Sequence, residues 1–441
     1  MASRRLVVDL GGSEVKIGDA NAKEPVLVAP NAKVTQKGPL ARTFYGPDIA
    51  QKVTDMSQLM FKRSLQRGCL INWDIQAEVL TKCLNHKEVK CDPQHTALLL
   101  TETPMCPPAI QDTTDQMVFE HFGFESYVTR SAPVLASIAI AEQQVEAQAA
   151  LEAEQQTKDG AQPLRCAALL IDAGFSATHC VPIFGSAAIN FATKRLNIGG
   201  KLLTNHLKQI VSYRAYNVMD EFHLMNEIKE RLCYLSLDFE RDLDMCRFKG
   251  RKNIIQREFV LPDYVNTMQG QIRDPFAPAP AAAEATAPAA SALSVEPATK
   301  RARAGALADE QVLRVSNERI SVPELLFRPN NIGMDQAGLP ECVVQAVDEC
   351  IPDMREALYS NIMVTGGSCR FPNFETRLRG ELRQLIPTEY NIGITVAKDP
   401  ELAAWRGGSI FAASEKFPTS VVTRAEYHEY GHAICRRRFA T

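Results

Sequence analysis

Leu6-Val7-Val8-Asp9-Leu10-Gly11-Gly12-Ser13 and Leu169-Leu170-Ile171-Asp172-Ala173-Gly174-Phe175-Ser176 share one grammar: an apolar strand, an aspartate, one spacer, a glycine, and a turn into a second β-like run. Each reads as a hairpin turning on glycine. Glycine lets a backbone take positive φ and approach a ligand closely, and consecutive N–H groups in such a turn make an anion-binding concavity. An aspartate at each strand end is placed to hold the water shell of Mg²⁺, which usually takes only one or two carboxylates. Lys16, in the run leaving the first turn, adds a point charge suited to phosphate. Asp-x-Gly is also a common turn sequence, so one copy alone carries little, whereas two copies on apolar strands in separate halves of the chain carry more. The patterns G-x-x-x-x-G-K-[ST] and G-x-G-x-x-G are absent, which sets aside the P-loop and Rossmann solutions. What remains is a cleft between two duplicated lobes, with Gly11, Gly12 and Gly174 near phosphate and Asp9 and Asp172 facing a metal through water.

Two further stretches could close such a cleft. Ile362-Met363-Val364-Thr365-Gly366-Gly367-Ser368 runs an apolar strand into paired glycines, where backbone could lie against a base or ribose; an ordinary strand-to-helix turn reads equally well. Glu227 to Glu240 is expected to be one helix with Ile228, Leu232 and Leu235 on its core face. Lys229 and Glu230 lie beside that face, either reaching a cleft or simply solvated.

Around these motifs the composition is that of a folded soluble protein: 441 residues, 45% apolar, 23% charged, net charge −3. That charge provides no whole-molecule field toward nucleic acid or an acidic membrane. Twelve cysteines without a C-x-x-C pair read as reduced residues of an intracellular protein, and no apolar run has the length of a membrane span. Two segments break the globular texture. Tyr264 to Asp309, Ala- and Pro-rich from Ala277 to Ala308, is expected to be a mostly disordered insertion in a hairpin between Phe259-Val260-Leu261 and Val312-Leu313-Arg314-Val315. Glu142 to Gln162 reads as a helical extension ending in a polar loop. Inside the longer insertion, Lys300, Arg301 and Arg303 form a compact basic cluster, a candidate nuclear-import signal or a few solubilising charges. His428-Glu429-Tyr430-Gly431-His432 matches H-E-x-x-H, but Gly431 weakens the required helix and no third ligand follows, so no zinc is expected.

Taken in order, the motifs resemble the actin family from end to end. Asp9 to Gly18 resembles its first phosphate hairpin, Arg67 to Asp74 the segment after its small subdomain, and Asp172-Ala173-Gly174 with Thr178-His179 and Val181-Pro182 its second hairpin. Ile228 to Tyr234 with Leu237 to Glu240 resembles its adenine-side helix. Asn317-Glu318-Arg319, Thr365-Gly366-Gly367 with Phe371-Pro372, and Trp405 to Ile410 complete the set. The resemblance implies the two-lobed α/β ATPase fold shared with Hsp70 and sugar kinases. Lobe one would span residues 1–162 plus 400–441 and lobe two 163–399, with a small subdomain at about 199–324. It implies ATP or ADP with Mg at Asp9, Gly11, Gly12, Lys16, Asp172, Gly174, Lys229, Glu230, Gly366, Gly367 and Phe371. Gly199 to Lys208, Ser212-Tyr213-Arg214 and Gly68 to Asp74 depart from conventional actin and resemble a nuclear branch of the family. That branch implies a subunit of a Swr/SRCAP-type ATP-dependent remodeller, with its motor subunit as partner and nucleosomes met indirectly, that exchanges the Z variant of histone H-two-A.

The departures bear on chemistry. Phe175 and Ser176 stand where actin carries an aspartate and a glycine, Ser131 where it uses a glutamine to organise the attacking water, and Glu401 where it has a lysine near the base. Leu10 and Gly12 replace polar residues. The resemblance therefore implies nucleotide binding that is structural, with slow or absent hydrolysis. The divergent Phe44 to Gln66 and the polar Asn330-Asn331-Ile332-Gly333-Met334 at actin's apolar plug argue against filaments, because a contact there would bury an unpartnered amide. The alternative is a nucleotide-hydrolysing, polymerising actin-like protein.

Overall fold

The computed structural model describes residues 4–37, 41–53, 59–155, 167–262, 267, 269–276 and 311–439. Two six-stranded sheets carry the architecture. In the first, Arg4–Leu10 pairs antiparallel with Glu14–Asp19 and parallel with Thr96–Glu102, which pairs parallel with Ser126–Ser131. In the second, Ala167–Ala173 pairs antiparallel with Thr178–Phe184 and parallel with Ile362–Thr365, which pairs parallel with Ile394–Val396. The repeat read in the sequence is thus a repeat of topology: a hairpin followed outward by two parallel strands. Val422–Thr423 returns from the far end of the chain to edge the first sheet.

The apolar runs lack polar alternation because each central strand is covered on both faces. Leu6 and Val8 point into one cluster with Leu98, Leu100 and Tyr127, while Val7 points the other way with Leu99, Leu135 and Trp405. In the second sheet Leu169 and Ile171 face the largest cluster, and Leu170 faces Val134, Ile140 and Ala403. Helices Ala132–Gln155 and Ala403–Ala413 therefore form a layer between the sheets. Their approach explains Trp405 to Ser409. A Cβ on Gly407 would stand 1.7 Å from the Leu135 carbonyl oxygen, and the fully buried Trp405 donates its indole N–H to the Val7 carbonyl at 3.2 Å.

Two expectations change. The expected helix from Glu227 to Glu240 is two helices, Phe222–Leu232 and Phe239–Cys246, because the intervening backbone leaves helical geometry at Cys233 and Asp238 caps a fresh N-terminus by accepting from Arg241 N–H. Within the span expected to lack structure, Gln271–Arg273 is a strand paired with Arg257–Val260, and Arg231 donates to the Gly270 carbonyl at its entrance. The other side of that hairpin, Arg257–Val260 against Val312–Val315, pairs as expected. Residues 277–310, including Lys300, Arg301 and Arg303, lie outside the described residues. The eleven cysteines among the described residues are all free, and no described helix is long and apolar enough to cross a membrane.

Candidate functional site

Strand register places the chemistry. In the first hairpin Asp9 lies opposite Lys16; in the second, Asp172 lies opposite His179. Each partner follows its aspartate by the same interval, so Lys16 and His179 are counterparts. They differ in charge. Lys16 Nζ donates to Asp9 Oδ2 at 3.2 Å, and Thr101 Oγ1 donates to Asp9 Oδ1 at 2.7 Å. Burial opposes the Lys16 charge, but Asp9 and Glu14 outweigh it and raise its pKa. His179 is buried, pushed down to about 4 by burial and by Arg195, and neither ring nitrogen has a hydrogen-bond partner among the described residues. Asp172 forms no ion pair among the described residues and is pushed up to about 6 by burial and by the charge of Asp9, with Lys16 opposing.

The two turns meet tip to tip. A Cβ on Gly12 would fall 2.4 Å from Ser176 Oγ and 3.3 Å from the Phe175 ring, so glycine there lets the hairpins close on each other. Behind the second turn, Gly200 and Lys201 at the start of helix Gly200–Arg214 donate their N–H groups to the carbonyls of Gly174 and Phe175. Lys229, on helix Phe222–Leu232, is buried and tied to Thr204 Oγ1 at 3.1 Å and Asn226 Oδ1 at 2.8 Å, which compensates part of the desolvation that lowers its pKa.

These elements enclose a cavity of about 800 Å³. All eleven candidates, Asp9, Gly11, Gly12, Lys16, Asp172, Gly174, Lys229, Glu230, Gly366, Gly367 and Phe371, line it. Two of them hold particular positions. Gly366, at φ +91°, owes its missing side chain to the Ala173 carbonyl, which a Cβ would meet at 2.4 Å; its neighbour Gly367 is the one open to the cavity beside Glu401. Glu230 is exposed at the rim and accepts from Asn226 at 2.7 Å. Sequence reading names His179 only as part of the second hairpin, not as a site residue, and passes over Arg63. The equal spacing from Asp9 to Lys16 and from Asp172 to His179 was a usable signal for the first; nothing local marks the second.

The other motifs resolve away from the cavity. Helix Arg424–Tyr430 ends at Gly431, with φ +61°, and His432 opens the next helix, His432–Phe439, so the two histidines of H-E-x-x-H do not share a helix face. His432 instead lies 3.5 Å from Asp115, and with Asp112 these residues bring ligand atoms within 4.8 Å of one another. The Arg436 guanidinium already engages both Asp112 oxygens. At the expected plug position, Ile332 and Met334 pack against the chain's own core while Asn330 and Asn331 stay exposed.

The sequence comparisons agree with this architecture over its whole length. The Actin family model matches residues 2–440. The chain is 38% identical to Actin-related protein 6 of Arabidopsis thaliana over 99% of both chains. It is 36% identical to Actin-related protein 6 of Oryza sativa subsp. indica over 98% of both, and 31% identical to Actin-related protein 6 of Drosophila melanogaster over 98% of both. With two hairpin-bearing sheets around one cleft and a family match from end to end, the chain belongs to the actin family.

Proposed function

We propose that this chain is a non-catalytic actin-related subunit of a nuclear Swr/SRCAP-type remodeller that exchanges the Z variant of histone H-two-A, serving as a structural and interaction module. The end-to-end similarity to proteins named Actin-related protein 6 supports the placement. The observation that carries the non-catalytic reading is Phe175: an aromatic ring lines the cavity at the second turn, directly beneath the Arg63 guanidinium, where the family pattern has a carboxylate. We assign lobe one to residues 1–162 with 400–441 and lobe two to residues 163–399, with a small subdomain at about 199–324, as the motifs suggest.

The cavity residues fit a nucleotide. Two opposed aspartates, the buried Lys16 and Lys229, and a buried histidine whose ring nitrogens have no partner among the described residues make a polar cradle. When bound, ATP or ADP with Mg supplies the charge that knits the hairpins together. Lys16 would meet a phosphate, Asp9 and Asp172 would hold the cation through water, the Gly11 and Gly174 turns would offer N–H groups, and Gly367, Phe371, Lys229 and Glu230 would border the base and ribose. With Phe175 at the turn and Ser131 in place of a glutamine, an attacking water is poorly held, and binding stabilises the fold without turnover. Lys300, Arg301 and Arg303 serve nuclear import.

Mass spectrometry of the native complex recovered with the tagged protein, beside analysis of nucleotide released on denaturation, tests this reading. The expected result is a remodeller's motor and histone-exchange subunits. A free monomer or a filament with rapid ATP turnover refutes it. In the same preparation, light scattering with Mg·ATP is expected to stay flat and phosphate release to stay at background.

A further inference from the structure

We propose that Arg63, Phe175 and Phe222 form a clasp that fastens the two lobes across the mouth of the cavity, so that a bound nucleotide exchanges slowly. The proposal rests on the nucleotide reading above.

Arg63 follows strand Leu59–Lys62 of the small three-stranded sheet on the first lobe, and its side chain crosses to the second. Its guanidinium carbon lies 4.5 Å from the centroid of the Phe175 ring and 5.7 Å from that of Phe222. Both distances are in cation–π range. The two rings meet edge to face at 6.1 Å, and Phe61 reaches Phe222 from the first lobe at 6.4 Å. From the same guanidinium, one nitrogen donates to the carbonyls of Gly12 at 3.1 Å and Ser13 at 2.9 Å. One side chain therefore holds the first hairpin's backbone, the second hairpin's turn residue and the start of helix Phe222–Leu232. An ion pair between Lys37 and Asp220 spans the lobes nearby.

Arg63 makes no ion pair with a carboxylate among the described residues, although an arginine this enclosed ordinarily has one. Aromatic faces and two carbonyls provide the compensation, with the charge of Glu14 also opposing the cost of burial. That makes Phe175 more than a lost carboxylate. A charged side chain at that turn would repel or attract ions in the cavity, whereas the ring holds an arginine over it. Arg63, Phe61, Phe175 and Phe222 all line the cavity wall, and on this proposal a ligand leaving between the hairpins parts them.

The test uses the full chain loaded with mant-ADP and Mg²⁺ and chased with excess ADP, together with hydrogen exchange of residues 59–70 measured without nucleotide. R63K and F175L keep bulk and should fold; R63A removes the contact outright. R63A and F175L are expected to speed mant-ADP release by about tenfold or more, the loss of one desolvated cation–π contact, with R63K between them and wild type. They are also expected to lose exchange protection across 59–70. Release and protection both equal to wild type in R63A and F175L overturn the clasp. If wild-type protein takes up no mant-ADP, the nucleotide reading fails, and exchange alone decides: protection lost in F175L supports the clasp, and protection unchanged overturns it.

Discussion

Replacing Lys16 with methionine keeps most of its volume and removes only its charge, which makes K16M the sharpest test of the hairpin electrostatics. In the native protein the ammonium lies 3.2 Å from Asp9 Oδ2, with Lys16 and Asp9 only 7% and 5% exposed. At an effective dielectric of about 20, that separation corresponds to roughly 5 kcal/mol of attraction, and breaking a buried pair by removing one member costs about 3–5 kcal/mol. K16M also leaves Asp9 facing Asp172 without the cation that moderates both. The loss is therefore expected to be about 3–5 kcal/mol at pH 7.5 and to shrink as pH falls toward 5, where a proton on Asp172, pushed up to about 6, relieves the repulsion. The double variant D9N/K16M removes both charges and should be more stable than K16M by at least about 2 kcal/mol. Urea unfolding followed by tryptophan fluorescence reads this directly. Trp73 opens a helix packed on the first sheet, and Trp405 lies against Val7 beneath the first hairpin. A K16M loss below about 1 kcal/mol, or one equal at pH 5 and pH 7.5, would refute the pair as an organising element of the cleft.

Gly407→Ala is expected to destabilise by about 3 kcal/mol or to abolish soluble expression, since its Cβ would stand 1.7 Å from the Leu135 carbonyl oxygen; a melting temperature equal to wild type would show that the inter-sheet helices can part. Burial pushes Asp115 up to about 7, with His432 and Cys435 pulling the other way. Its raised pKa gives stability that is full below about pH 4 and lost as pH rises through about 7, so Asp115→Asn should overtake wild type by up to about 4 kcal/mol between those limits, and parallel pH–stability curves would contradict the assignment. Elemental analysis of purified protein is expected to find no stoichiometric zinc, because Gly431 divides the two histidines between helices and Arg436 occupies Asp112; one zinc per chain, lost on His432→Ala, would overturn that.

The hairpins were legible in the sequence because their chemistry is local. An apolar strand, an aspartate and a glycine within eight residues mark a turn, and both pair as hairpins, although Gly11, Gly12 and Gly174 keep φ outside the left-handed region and serve instead by close approach of neighbouring groups. Helix boundaries around Cys233 were harder, since Ile228, Leu232 and Leu235 keep an apolar spacing across a break made by tertiary contacts: Tyr234 N–H donates to the Arg319 carbonyl and Leu235 N–H to that of Pro372. Such bonds compete with helical ones and leave no mark in periodicity. Gln271–Arg273 was missed for a related reason, because a three-residue strand gains its stability from the neighbour it pairs with rather than from its own composition. Arg63 is the extreme case. In sequence it is one basic residue among Lys62, Arg63 and Arg67, and its partners Gly12, Phe175 and Phe222 are scattered over 211 positions of the chain. Phe175 points the same way: as a departure from the family pattern it signifies a missing carboxylate, and only its position under a guanidinium gives the substitution a purpose. On the proposed reading, a residue lost for hydrolysis is a residue gained for closure, and the two effects act together, since a cleft that does not turn nucleotide over would have no need to open for product.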